Sequence, residues 1–166
     1  MIFATVGTHQ DGFPRMLAAL ETLGDDVDLV VQYGHGRAPS NARVAEAFLP
    51  FPSMTAYFDA ADVVVTHAGV GSILLAVRHG HRPIVIPRLK RHREHLDDHQ
   101  VQLAEQLAAQ GRVHVVWDER ELAAAVRDVS PRRDPEDLPQ TGLHRAVRDA
   151  LHGAPAGAPS TLTRRR

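Results

Sequence analysis

Apolar residues fall along the chain in two alternating rhythms, short unbroken runs and longer stretches spaced by three and four. The run MIFATV ends at Gly7, and Phe13, Met16, Leu17, Leu20 and Leu23 follow at helical spacing until Gly24 interrupts the pattern. These spacings predict a strand, a loop and an amphipathic helix. VDLVVQYG predicts a second strand and RVAEAFLPF a third, while Ser53 is placed to cap a short helix over MTAYFDAA. DVVVTH, RPIVIP and RVHVVW read as further strands. Between them lie helices over GSILLAVRHG, closed by Gly80, and over HQVQLAEQLAAQG, where Val101, Leu103, Ala104, Leu107 and Ala108 form one face before Gly111. DEREL opens a last helix with Asp118 as cap and Glu121 three residues on, a capping box.

Strands that are apolar throughout are covered on both faces, and helices of about ten residues between them are the crossovers that a parallel sheet requires. The pattern therefore predicts an α/β fold, a Rossmann-like, doubly wound parallel sheet forming one domain over residues 1–129. Residues 130–142 are polar and proline-bearing and read as a linker, 143–152 as a short helix, and 153–166 as a disordered tail.

Composition narrows the function classes. A length of 166 residues suits a single domain, and a formal net charge of -1 offers no field for nucleic acid. The absence of cysteine excludes disulfides, thiolate metal sites and cysteine nucleophiles. No run reaches the roughly 18 apolar residues that span a bilayer, and the first residues lack the basic flank and apolar region of a secretory signal, so cytoplasmic residence is expected. LPQTG, Leu138 to Gly142, resembles a cell-wall sorting signal but is followed by Arg145, Arg148 and Asp149 rather than an apolar segment, and is read as coincidence.

In a doubly wound sheet, ligands bind beyond the carboxyl ends of the strands, which singles out the loops GTHQDG, THAGVGS and PRLKRHREHLDDHQ. In the second, Gly69 and Gly71 let the backbone approach a ligand, and the helix that follows offers unpaired amides, a positive dipole end and the Ser72 hydroxyl. That combination suits a diphosphate; a turn needed only for chain reversal would use the same glycines. GTHQDG lacks the GxGxxG spacing, the acidic residue about twenty positions on is ambiguous between Asp25, Asp26 and Asp28, and no GxxxxGK[ST] occurs, so dinucleotide and P-loop sites are poorly supported. His92, Glu94 and His95 give H-x-E-H, which matches neither HExxH nor HxxEH, so no metal site is read. The loop is then either a solvated charged segment or a cluster of polar groups that read sugar hydroxyls.

MIFATVGTH, ADVVVTHAGVGSILLAVRHGHRPIVIPR and EHLDDHQVQLAEQLA, in that order, resemble the C-terminal, donor-binding domain of family 28 glycosyltransferases, from Met1 to about Asp128. The resemblance implies one half of a GT-B enzyme, of the split type in which a membrane-associated subunit supplies the acceptor domain. It is nearest to bacterial exopolysaccharide pairs, with the eukaryotic dolichol-linked N-acetylglucosaminyltransferase as a second similar system. It implies that Gly7 and Thr8, with His67, Gly69, Val70, Gly71 and Ser72, hold the donor diphosphate and ribose. It places Phe51 and Pro52 at the nucleobase, and Glu94, Asp98, His99 and Gln100 near the transferred sugar. At position 75 many relatives carry a glutamate that grips the ribose diol, whereas Leu75 cannot accept those hydrogen bonds. Another residue takes the ribose, donor affinity is lower, or activity is degraded.

The expectation that follows is inverting transfer from a UDP-sugar, a substrate rather than a cofactor, to a lipid-linked acceptor in polysaccharide biosynthesis, with no further cofactor. The general base comes from the partner subunit, nucleic acid is not a partner, and membrane association is indirect, at the inner face of the plasma membrane. Two alternatives remain: a nucleotide-binding or regulatory module that has lost transfer, and an NAD-dependent enzyme, disfavoured by the missing fingerprint.

Overall fold

The structure, a computed structural model, describes residues 1–95 and 99–129, with His99 through its backbone alone. Asp98, the linker at 130–142, the helix at 143–152 and the tail at 153–166 lie outside the described residues. Six parallel strands form one sheet in the order β3-β2-β1-β4-β5-β6. These are β1 (Ile2–Thr5), β2 (Leu29–Gln32), β3 (Val44–Glu46), β4 (Val63–His67), β5 (Ile84–Ile86) and β6 (His114–Val115). The crossovers are α1 (Pro14–Glu21), α2 (Phe51–Ala60), α3 (Val70–Arg78) and α4 (His99–Ala109), and α5 (Leu122–Arg127) follows β6.

Side chains along each strand divide between the two faces, as the pleat dictates. Ile2, Ala4, Leu29, Val31, Val65, Ile84 and Ile86 bury themselves against Phe13, Met16, Leu17 and Leu20 around α1 and Leu122 and Ala125 of α5. On the opposite face Phe3, Val30 and Val64 meet Phe58 of α2 and Ala76 of α3, while Val85 packs with Ile73, Val77, Leu103 and Leu107 of α3 and α4. The continuous apolar runs thus reflect a sheet covered on both sides, as in the expected doubly wound fold. Gly24, Gly80 and Gly111 follow α1, α3 and α4 in left-handed backbone, the conformation a helix end uses most readily with glycine.

Three local expectations are corrected. RVHVVW yields a ladder of only two residues, and the strand that RVAEAFLPF holds, as expected, is three residues long. Each is an edge strand with a single neighbour, and β5 beside β6 is itself three residues long. Ser53 is not a cap. The helix begins three residues earlier, with Pro50 at the cap position and Pro52 in the first turn, where a fixed φ and a missing N–H are both harmless. Asp118 does cap, its Oδ1 accepting from Arg120 N at 3.1 Å, but it opens a 3-10 turn (Glu119–Glu121) before α5. The Arg120 guanidinium, rather than Glu121, completes the arrangement by donating to both Asp118 oxygens.

Phe3 joins the faces of β1 and α2, with its ring stacked on Tyr57 at 5.5 Å and edge-on to Phe58 at 5.0 Å. Phe3→Ala should lower stability by about 3–5 kcal/mol, read as an earlier urea midpoint at unchanged slope; a loss below about 1 kcal/mol would show that this aromatic group is not a main brace.

Candidate functional site

The order 3-2-1-4-5-6 reverses direction between β1 and β4, and a crevice opens where neighbouring crossovers leave on opposite faces of the sheet. β1 feeds Gly7 into that crevice and β4 feeds His67, Gly69 and the start of α3. The GTHQDG, THAGVGS and PRLKRHREH loops follow adjacent parallel strands and share one edge, as the sequence pattern requires.

The imidazole of His67 fills the space between two glycine backbones. A Cβ at Gly7 would fall 2.5 Å from His67 Cε1, and one at Gly69 would fall 2.1 Å from Nε2. Gly7 also has φ +77, so it is glycine for both conformation and room. Gly71 differs, because a Cβ there would meet nothing within 4 Å. Its freedom from neighbours leaves open space above the first turn of α3. Gly69 is the N-cap of α3 and no side chain caps the helix, so the leading amides at Val70, Gly71 and Ser72 keep the donor capacity that a helix start leaves over. The dipole of α3 adds partial positive charge at that point.

The loop after β1 is held from below by polar groups at the ends of buried strands. Gly7 N donates to Thr5 Oγ1 at 3.2 Å, and the Thr5 hydroxyl donates to Gln32 Oε1. The Gln32 amide donates to Gly7 O at 3.1 Å and to Ala47 O at 2.7 Å. Thr5 and Gln32 are fully buried. Past Ala47 the chain exposes Phe48, with His35 edge-on to it at 5.1 Å, and then Phe51, 64 % exposed, beside the exposed Pro52. Among the described residues the other exposed large apolar side chain is Trp117, so Phe48 and Phe51 mark an uncovered aromatic segment following β3.

A second polar cluster joins the loops after β1 and β5. Arg88 is fully buried; its guanidinium donates to Val6 O at 3.2 Å, Gly12 O at 2.9 Å and Glu94 O at 3.4 Å, and lies over the Phe13 ring at 4.5 Å. Burial pulls the Arg88 pKa down while the nearby Glu94 and Asp11 carboxylates oppose the shift. Arg15 takes both oxygens of the Glu94 carboxylate, each at 2.9 Å, and donates to Pro87 O at 2.7 Å. Glu94 Oε2 also accepts from Leu89 N at 3.0 Å. Glu94 therefore serves as an internal clamp for this loop. Gln100 Oε1 accepts from Arg88 N at 3.1 Å, so Gln100 at the start of α4 is tied to the same loop; Thr8 is exposed and Ser72 partly so.

Sequence patterns brought out the glycines and Ser72, and the resemblance added His67 and the segment at Phe51, but neither reached Arg88, Arg15, Gln32 or Thr5. Thr5 and Gln32 carried a signal, polar residues closing otherwise apolar strands. Arg15 and Glu94 are 79 positions apart and carried none.

Leu75 packs with the cluster of Phe3, Phe58 and Ala76 between α2 and α3. The position at which the resemblance led to the expectation of a hydrogen-bonding acid is part of the apolar seam between two helices.

The model of the glycosyltransferase family 28 C-terminal domain matches residues 1–148. The chain belongs to that family. A sequence comparison with curated proteins gave no match. Among solved structures, this family 28 domain is similar to the glycotransferase of kitacinnamycin, with TM-score 0.58 and 21% identity, over 90% of this chain and 40% of that one. It is also similar to the calicheamicin glycosyltransferase, with TM-score 0.57 and 16% identity, over 91% of this chain and 38% of that one. The fold is thus that of the C-terminal half of GT-B glycosyltransferases, and the family 28 domain spans about two fifths of each of these proteins.

Burial, reinforced by the positive charge of Arg88, lowers the His67 pKa from 6.5 to about 4; contact with the Thr5 backbone opposes this, and His9 and His95 add to it. His67 is then neutral at physiological pH. The folded value lies below the unfolded one, so the unfolded chain binds the extra proton first and this group removes stability as pH falls from 6.5 towards 4. Side-chain NMR titration should show the His67 resonances unchanged until the pH nears that lower value; a midpoint near 6.5 would contradict the enclosure described here.

Proposed function

We propose that this family 28 domain binds a UDP-sugar and acts as the donor-binding part of an inverting glycosyltransferase, with the acceptor held by a separate partner subunit. The observation that carries the reading is the uncapped start of α3 at the switch point, beneath the open space at Gly71 and beside the Gly7 loop. Backbone amides and a helix dipole directed at one place suit a diphosphate. They also suit the charge that grows on that diphosphate as the sugar departs, which preorganised donors stabilise without reorganising. Gly7, Thr8, Gly69, Val70, Gly71 and Ser72 surround the phosphates in this scheme, while His67 gives the loop its shape. Phe51 and Pro52, with the neighbouring Phe48, offer an apolar surface for the uracil ring. Gln100, His99 and Asp98 lie on the segment assigned to the sugar, and Glu94 holds that segment in place.

The acceptor is a lipid-linked saccharide of a polysaccharide pathway, and the general base belongs to the partner subunit, so this chain alone binds donor and turns over little. No helix among the described residues is long and apolar enough to cross a membrane. The proposed location is the cytoplasm, with recruitment to the inner face of the plasma membrane through the partner. Leu75 favours a second reading, a nucleotide-binding module without transfer activity, because the acid expected to hold the ribose diol is replaced by a packed aliphatic side chain.

Gly71→Asp is the informative substitution. A Cβ added there meets nothing within 4 Å, so folding should be retained, while the carboxylate would stand against the phosphates. Calorimetric titration should detect UDP binding to the natural chain and none to Gly71→Asp; equal affinity in both would remove the phosphate assignment.

A further inference from the structure

The loop after β1 carries an imidazole that the donor assignment leaves unused. His9 follows Gly7 by two residues and is partly buried, its side chain 37% exposed. Its ring lies against that of His95 from the loop after β5, with centroids 5.2 Å apart and planes inclined by 36°. His9 Nδ1 accepts a hydrogen bond from the backbone N–H of Asp11 at 3.2 Å. A backbone amide can only donate, so the neutral ring carries its proton on Nε2. An Asp11 carboxylate oxygen lies 3.5 Å from the same Nδ1, so this edge of the ring faces Asp11 in either protonation state. Nε2–H is on the far edge and has no hydrogen-bond partner among the described residues. Gly7, two residues before His9, lies against the His67 ring at the crevice between β1 and β4.

We propose that His9 Nε2–H donates a hydrogen bond to the sugar-linked phosphate of the bound nucleoside diphosphate sugar, with Asp11 fixing the tautomer that makes this possible. The inference rests on the donor-binding reading above. A phosphate oxygen that is ionised only accepts, so a ring locked as a donor is matched to it. A sugar hydroxyl both donates and accepts and would be served by either tautomer. The same lock makes Nε2 unsuited to take a proton from an acceptor hydroxyl, and His9 is therefore a substrate-binding group rather than a general base. The position agrees with this role, since His9 lies between the glycine loop at the phosphates and His95, which leads into the segment assigned to the sugar.

The test is calorimetric titration of UMP, UDP and UDP-glucose into the natural chain, His9→Ala and His9→Gln. His9→Ala should weaken UDP and UDP-glucose by about tenfold or more, the effect of losing a hydrogen bond to a charged group, and leave UMP binding unchanged. His9→Gln, whose amide can still donate, should recover part of the loss. Nitrogen-15 NMR should find the proton on Nε2 and show that resonance moving with UDP but not with UMP. Unchanged UDP affinity in His9→Ala, or an equal loss for UMP and UDP, would overturn the assignment, the second outcome indicating a disturbed loop. A loss confined to UDP-glucose would overturn it in favour of a sugar hydroxyl. Failure of the natural chain to bind any of the three would overturn the donor reading itself and this inference with it.

Discussion

A guanidinium buried without a carboxylate of its own is the constraint on which the carboxyl edge depends. Arg88 cannot shed its charge, and the nearest acid, Glu94, spends both oxygens on Arg15 and the Leu89 amide. The charge is instead stabilised by three backbone carbonyls and the face of Phe13. Such compensation works only while those carbonyls stay directed at one point, because a buried cation that loses its partners is strongly destabilising. Val6, Gly12 and Glu94 are thereby fixed relative to one another, and the loops after β1 and β5 behave as one body. The same charge helps keep His67 neutral, so the ring between the two glycines is an uncharged spacer.

The sheet was legible because its cause is local: the strands are apolar runs, four of the five crossovers have a helical period, and glycine closes three of the helices in left-handed backbone. The strand ends were less legible where they depend on a neighbour. RVHVVW has the composition of a six-residue strand, yet β5 beside it offers a ladder of three, and only His114 and Val115 pair. Ser53 failed as a cap for a different reason, since Pro52 already sets the helical φ one residue earlier.

At the candidate site, the division is between backbone and side-chain chemistry. Gly7, Gly69 and Ser72 could be found in the sequence because helix starts and close approaches need particular residue types next to each other. Arg15 gave no such mark. It sits on α1 with 10% of its side chain exposed, held by an acid in a loop that follows another strand. Glu94 likewise resembled a group free to meet a ligand, and only the three-dimensional pairing shows that its oxygens are already engaged. Leu75 is intermediate: the resemblance led to the expectation of an acid there, while the structure shows what the leucine does, joining α2 to α3.

Gln32 has a consequence of another kind. One side-chain amide holds Gly7 O with one hydrogen and Ala47 O with the other, and Ala47 leads directly to Phe48 and Phe51. The glycine loop and the chain at Ala47, just before the aromatic residues, are therefore spaced by a single carboxamide, as the jaws of a calliper are set by a screw. In the proposed reading, the spacing between the phosphate loop and the chain that leads to the nucleobase surface is held at this point before any ligand arrives. A chain with a shorter or charged residue at position 32 would have to measure it anew.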